Sequence, residues 1–142
     1  MINYVTYKIS GEILSVGYCP DEDFQHQAKP ELGIYALQGT ADYRTQYVKS
    51  SQIIDKPPKP IGAYIFDYSS ERWIPDVSEQ LRTVRLQRNN LLAQSDWTDT
   101  YSAPARLGTE KYNQWQQYRQ QLRDVTSQPD LYNIVWPTPP NS

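Results

Sequence analysis

Cys19 and His26 are the chain's single cysteine and single histidine, and a thiolate paired with an imidazolium is the sharpest nucleophilic chemistry the sequence offers. They lie seven residues apart around a polar loop, with no oxyanion-forming glycine loop beside them, so the pair reads as inert. Asp96 and Asp99, on either side of Trp97, could divide acid and base roles in a hydrolysis. Aspartates are common in loops because their carboxylates bond nearby backbone, and that plainer reading is preferred. The trio Asp21, Glu22 and Asp23 lacks the alternating oxygen ligands and central glycine of a calcium loop. One cysteine and one histidine cannot furnish the usual zinc sets, and the six glycines form no phosphate-cradling cluster. No catalytic, cofactor-binding or metal-binding residue is therefore expected.

Charge points the same way. The chain has 142 residues with 14 Lys+Arg against 16 Asp+Glu, a net charge of -2. Before Pro75 there are 7 basic and 9 acidic residues, and after it 7 and 7, so neither half is a basic module. Arg82, Arg85 and Arg88 recur at steps of three and could form a basic stripe, but in a neutral half-chain without a nucleic-acid motif they read as a solvated or ion-paired helix face. Nucleic acid is not an expected partner. No apolar run approaches the ~20 residues of a membrane span, and the first residues lack the features of a signal peptide. A soluble, unexported chain with no membrane partner is the expectation. The composition is unusual in its aromatics: 12 Tyr and 4 Trp but 2 Phe, in a chain only 38% hydrophobic. Tyr and Trp join a large apolar body to a polar tip, which suits surfaces that a partner buries as well as cores.

The elements that must position these side chains are legible from periodicity. Tyr4, Val5, Tyr7 and Ile9, a Ser10-Gly11 turn, then Ile13, Leu14, Val16 and Tyr18 predict a β-hairpin. Residues 20–30 read as loop with one helical turn, 34–37 as a strand, and 47–54 as a second hairpin around Lys49-Ser50-Ser51. The run KPPKP at 56–60 cannot supply a ladder of amide donors and reads as a linker. Residues 63–68 and 71–75 flank a Ser69-Ser70 turn as a third hairpin. From Asp76 the period changes: Val77, Leu81, Val84, Leu91 and Leu92 fall mostly at steps of three and four, with Asp76 and Glu79 placed as a capping box. A loop at 95–108 carries Trp97, Tyr101 and Pro104. A second helix is expected from Thr109 to about Thr126, and a short strand through Ile134–Trp136 before the last prolines.

The fold class read from this is α+β: an antiparallel β-rich N-terminal part followed by a C-terminal helical hairpin with a proline-rich extended tail. The expected division is a small β-rich domain at 1–60, ending in the linker, and a second domain at 61–142 holding the third hairpin and the helices. A two-helix hairpin buries only one seam, roughly 10 to 20 kcal/mol of apolar burial that ordering entropy can cancel. It is expected to lean on the β part, another copy, or a different protein.

Three blocks carry a resemblance. They are RNNLLAQSDWTDT at 88–100, KYNQWQQYRQQLRDV at 111–125 and NIVWPTPP at 133–140. The corresponding residues are Arg88, Asn89, Leu91, Leu92, Ser95, Asp96, Trp97 and Thr98; Trp115, Tyr118, Arg119, Leu122, Arg123 and Asp124; and Trp136, Pro137 and Pro140. In order and spacing they resemble the phage tail assembly chaperone family, also called tail-fibre assembly proteins. The likeness is firm over residues 63–140 and looser from 41. Two positions depart from the family pattern. The family often has a Leu-Pro-Asp-like segment shortly after Trp-Thr, where this chain has Asp99-Thr100-Tyr101-Ser102, and a proline is common near position 126, where it has Thr126.

The resemblance implies a helper without enzymatic activity or cofactor. It would bind the phage tail fibre, usually its distal part, and assist folding or trimerisation in the host cytoplasm, with some members remaining on the virion tail and contributing to host recognition. On this resemblance Trp97, Trp115, Tyr118 and Trp136 would supply contact area to the fibre, and Arg119 and Arg123 oriented polar contacts. The same aromatics can equally close the hairpin's own core. The alternative function is a permanent structural piece of the virion, such as a fibre or baseplate adaptor or a receptor-binding tip subunit. Mass spectrometry of purified particles separates the two.

Overall fold

The computed structural model describes residues 1–141, which divide into two compact units. The first comprises Met1–Pro60 and Tyr64–Ile74; the second comprises Ile61–Ala63 and the chain from Pro75 onward. The class is α+β, with antiparallel sheets first and helices after them.

In the first unit, β1 (Ile2–Lys8) and β2 (Ile13–Cys19) form the expected hairpin, and β3 (Ile34–Gln38) pairs with the other edge of β1. Both pairings are antiparallel, with Val5 opposite Val16 on one side and Leu37 on the other. Alternation puts Val5 on the core face of the central strand, where it is fully buried with Ile13 and Val48. A bulge between Thr6 and Tyr7 absorbs a register shift near the turn. Between β2 and β3 the chain forms two 3₁₀ segments, Asp21–Gln27 and Pro30–Leu32, longer than the single turn expected.

The second hairpin is β4 (Gln46–Lys49) and β5 (Gln52–Asp55). Its Ser50 and Ser51 both take positive φ, 51° and 58°, as a two-residue hairpin turn matching strand twist requires. The third is β6 (Tyr64–Asp67) and β7 (Arg72–Pro75), paired as a two-stranded ribbon. Its turn is held by Asp67, whose Oδ2 accepts from the Ser70 hydroxyl at 2.6 Å and the Ser70 amide at 3.3 Å. Those bonds, with the hydroxyl first, lower the Asp67 pKa.

Where the sequence groups this third hairpin with the helices, its packing lies in the first unit. Phe66 is buried with its ring centroid 5.2 Å from Tyr47, 5.0 Å from Tyr68 and 5.2 Å from Trp73. The Lys56 ammonium sits 5.1 to 5.5 Å from the centroids of Phe66, Tyr68 and Trp73, and the Trp73 indole donates to the Pro57 carbonyl at 2.8 Å. The aromatic rings thus fasten the proline run to the hairpin that follows it.

Gly11 shows how closely the hairpins approach. Its carbonyl accepts from the Val48 amide at 2.9 Å, its φ is +98°, and a Cβ there would lie 2.2 Å from the Val48 carbonyl oxygen. Gly33 also has positive φ, +72°, but open space around it. Gly11→Ala is therefore expected to cost at least ~2 kcal/mol and Gly33→Ala only ~1 kcal/mol. Urea unfolding of the two variants checks this, and equal losses would contradict the close contact.

In the second unit, α1 (Val77–Gln94) begins where Asp76 Oδ1 accepts from the Glu79 amide at 3.2 Å. The reciprocal half of the capping box does not form, because the Glu79 carboxylate takes Arg82 in a two-point contact instead. The expected loop at 95–108 holds a 3₁₀ turn, Asp96–Asp99, and a short helix, α2 (Ala103–Leu107). Next, α3 (Thr109–Arg123) runs into a further 3₁₀ turn at Val125–Ser127, short of the α-helical end expected near Thr126.

The strand expected at Ile134–Trp136 does not form, and residues 134–140 carry no regular secondary structure. The physical reason is a side chain. Gln128 Nε2 donates to the Val135 carbonyl at 2.9 Å, and the Val135 amide donates to Gln128 Oε1 at 2.9 Å. One glutamine amide thus occupies the backbone groups that a neighbouring strand would have paired.

Candidate partner-binding surface

On α3, Trp115, Tyr118, Arg119 and Leu122 recur at steps of three and four and share one helix face. All four are buried, and Leu122 is wholly inaccessible. Trp115, Tyr118 and Leu122 form the core of the unit, against which Leu91, Leu92, Leu107 and Trp136 pack. The Trp115 ring meets Tyr118 nearly edge-on, with centroids 5.6 Å apart at 84°.

A guanidinium on this face is costly to bury unless it is hydrogen-bonded. Arg119, 6% exposed, meets most of that demand with three bonds from its two terminal nitrogens, while its Nε is buried without a partner among the described residues. Its Nη1 donates to the Leu92 carbonyl at 2.8 Å and to Ser95 Oγ at 2.7 Å, and its Nη2 to Asp96 Oδ1 at 3.1 Å. Arg119 therefore closes the C-terminal end of α1, where backbone carbonyls lack helical partners. Asp96, read from the sequence as a loop aspartate in preference to a catalytic acid, is occupied by this arginine. Asp99 Oδ1 accepts from Gln116 Nε2 at 3.5 Å. Both carboxylates are structural ties between the loop and α3.

Trp97 stands at the outer end of this arrangement and is 41% exposed. One side meets Trp115, with centroids 5.3 Å apart at 66°. The Arg106 guanidinium lies 5.7 Å from the ring centroid and donates from Nη2 to the Trp97 carbonyl at 2.9 Å. The ring is thus held in place while part of it faces solvent, and Tyr101 on the same loop is fully exposed. The structure brings Trp97, Trp115, Tyr118 and Arg119 together, with Trp136 packed against the same core. Arg123 is set apart: it is exposed, and its Nη1 donates to Gln120 Oε1 at 3.2 Å.

Trp115, Tyr118 and Arg119 offer a partner little surface of their own. Trp97, Arg123 and the half-buried Trp136 keep accessible area. Arg106 and Ser95 enter as positioning residues that spacing does not reveal: Arg106 lies over the Trp97 ring and bonds its carbonyl, and Ser95 accepts from Arg119 across the loop. Legible in retrospect is Arg119 itself, because an arginine four residues after Trp115 and three before Leu122 falls on the apolar stripe and must find partners there.

Elsewhere the candidate chemistry does not assemble. Cys19 is buried, and its thiol pKa is raised by burial first and then by Asp23 and Asp21, the opposite of what a nucleophilic thiolate needs. His26 is exposed and faces Asp23 at 3.8 Å. Asp21 pairs with the N-terminal amine at 2.9 Å. Among the described residues no three His, Cys, Asp or Glu side chains group as a metal site, and no helix is long and apolar enough to cross a membrane.

No curated protein and no solved structure matches the chain significantly. Residues 81–141 do match a family model, that of the phage tail assembly chaperone protein. The matched segment takes in the end of α1 that Arg119 closes, the Trp97 loop, α3 and Trp136. Over residues 81–141 the chain is similar to the phage tail assembly chaperone family.

Proposed function

We propose that this chain binds a phage tail fibre through its helical unit and assists the fibre's folding or trimerisation, acting by binding and not by catalysis. Fibre chains that must find register over long β-rich stretches expose apolar edges while they assemble, and covering those edges in the host cytoplasm suppresses aggregation. One observation carries the reading: Trp97, inside the family-matching segment, is braced by Trp115 and Arg106 yet left 41% exposed. A rigid aromatic with a polar tip, next to an arginine, is the side-chain combination that dominates protein interfaces. In this proposal Trp97, Trp136 and Arg123 touch the fibre. Trp115, Tyr118 and Arg119 hold those residues in place.

Co-expression with the fibre protein of the same phage tests it. The expected result is a higher yield of soluble fibre trimer, with the chain co-purifying from assembling fibres. Unchanged fibre solubility together with no co-purification would overturn the reading.

A further inference from the structure

A pocket of about 490 Å³ opens in the first unit where the start of β2, the loop before β4, the proline run and the third hairpin meet. Its walls carry the rings of Tyr43, Tyr68 and Trp73, and its charged residues are Arg44, Lys56, Lys59 and Glu12. Three of the 7 basic residues that precede Pro75 therefore line one cavity, in a part of the chain where acidic residues outnumber basic ones. The carboxylates nearby are committed elsewhere. Glu12 holds Lys8 at 2.9 Å, and Asp42 accepts from the Arg44 amide at 2.9 Å and from its Nε at 3.4 Å. Lys56 and Lys59 pair with no carboxylate among the described residues, and their ammonium groups lie 5.5 and 5.8 Å from the centroid of one ring, that of Trp73. Lys56 is also half-buried. Its Nζ donates to the Tyr43 carbonyl at 3.1 Å, and burial lowers its pKa more than Glu12 and Asp42 raise it. Two like charges on one ring, one of them partly stripped of water, carry an electrostatic cost that an incoming anion removes.

We infer that this pocket binds an acidic peptide segment of a partner protein, pairing an Asp or Glu carboxylate with the ammonium groups of Lys56 and Lys59 and resting a neighbouring apolar side chain on the tyrosines. Charge sets the sign of the ligand, and the surroundings set its class. A long polyanion such as a nucleic acid would meet the acidic excess of this part of the chain beyond the pocket, whereas one or two carboxylates meet only the cations. Aromatic walls keep water away from the charges, so the attraction exceeds that at a freely exposed lysine. Tyr43 is 61% exposed with the Arg44 guanidinium 5.7 Å from its ring centroid, and Trp, Tyr and Arg together are the residues that anchor protein interfaces. Every residue of the pocket belongs to the first unit, so the inference stands independently of fibre binding by the helical unit.

Titration of the ¹⁵N-labelled full chain with a capped tetrapeptide of two glutamates flanked by leucines tests it, read at the indole resonance of Trp73. The same peptide with glutamines in place of glutamates, and inorganic phosphate, serve as comparisons. The expected result is a saturable shift with the acidic peptide, binding at least about tenfold weaker with either comparison, and an affinity that falls as salt is added. Lys59→Gln, at an exposed position, should weaken the acidic peptide about fivefold while the melting temperature holds. Lys29→Gln, exposed and outside the pocket, should leave the affinity unchanged. No shift with the acidic peptide would overturn the assignment. So would equal losses in Lys59→Gln and Lys29→Gln, which would make the attraction a matter of overall charge. Phosphate binding as tightly as the peptide would overturn it too, leaving a general anion site in place of a peptide site.

Discussion

Trp115→Ala is expected to destabilise the helical unit by ~3 to 5 kcal/mol, the range for removing a large buried aromatic from a packed core. The ring is 7% exposed and central: Trp97 and Tyr118 meet it edge-on, and Leu91, Leu92, Leu107 and Trp136 pack on the cluster it forms with Leu122. Because α1, the loop and the C-terminal segment all reach this one side chain, the neighbours cannot close the void together. Urea unfolding followed by tryptophan fluorescence measures the loss. A change under ~1 kcal/mol would mean that Trp115 behaves as a surface residue.

Arg119→Ala is expected to cost ~3 kcal/mol, for a different reason. The guanidinium supplies charged donors to the Leu92 carbonyl, Ser95 Oγ and Asp96 Oδ1, and alanine leaves the end of α1 without them. Part of the loss is cushioned, since the Ser95 amide and hydroxyl also donate to the Leu92 carbonyl at 3.0 and 2.9 Å. The ion pair contributes the least, because the Asp96 side chain is 69% exposed and an exposed carboxylate is well solvated. Asp96→Asn should therefore change stability by less than ~1 kcal/mol. Equal effects of Arg119→Ala and Asp96→Asn would show that the charge pair, and not the closure of the helix end, holds the loop.

Local periodicity and turn chemistry carried the architecture a long way. Alternation around Ser10-Gly11, Ser50-Ser51 and Ser69-Ser70 located three hairpins, and Asp76 marked the start of α1. What escaped depends on contacts remote in sequence. The apolar run Ile134–Trp136 has strand composition, but Gln128 takes its backbone groups first. Phe66 looks the same on paper whichever half of the chain it packs in; the rings of Tyr47 and Trp73 decide that. The same limit applies to the surface. A helical stripe gives Trp115, Tyr118 and Arg119 one face without saying whether that face meets a partner or the protein's own α1. Trp97, one loop away, shares their composition but keeps its exposure because Arg106 and Trp115 brace it from within.

That difference in exposure gives the most direct measurement. In pull-down of the fibre by the purified chain, Trp97→Ala should weaken capture by about tenfold or more, as loss of an interface aromatic does. The variant's melting temperature should fall by only a few degrees, about what ~1 kcal/mol produces in a small domain. Fibre capture at the native level from a chain whose melting temperature collapses would contradict the account, making Trp97 part of the core and leaving the fibre to another surface.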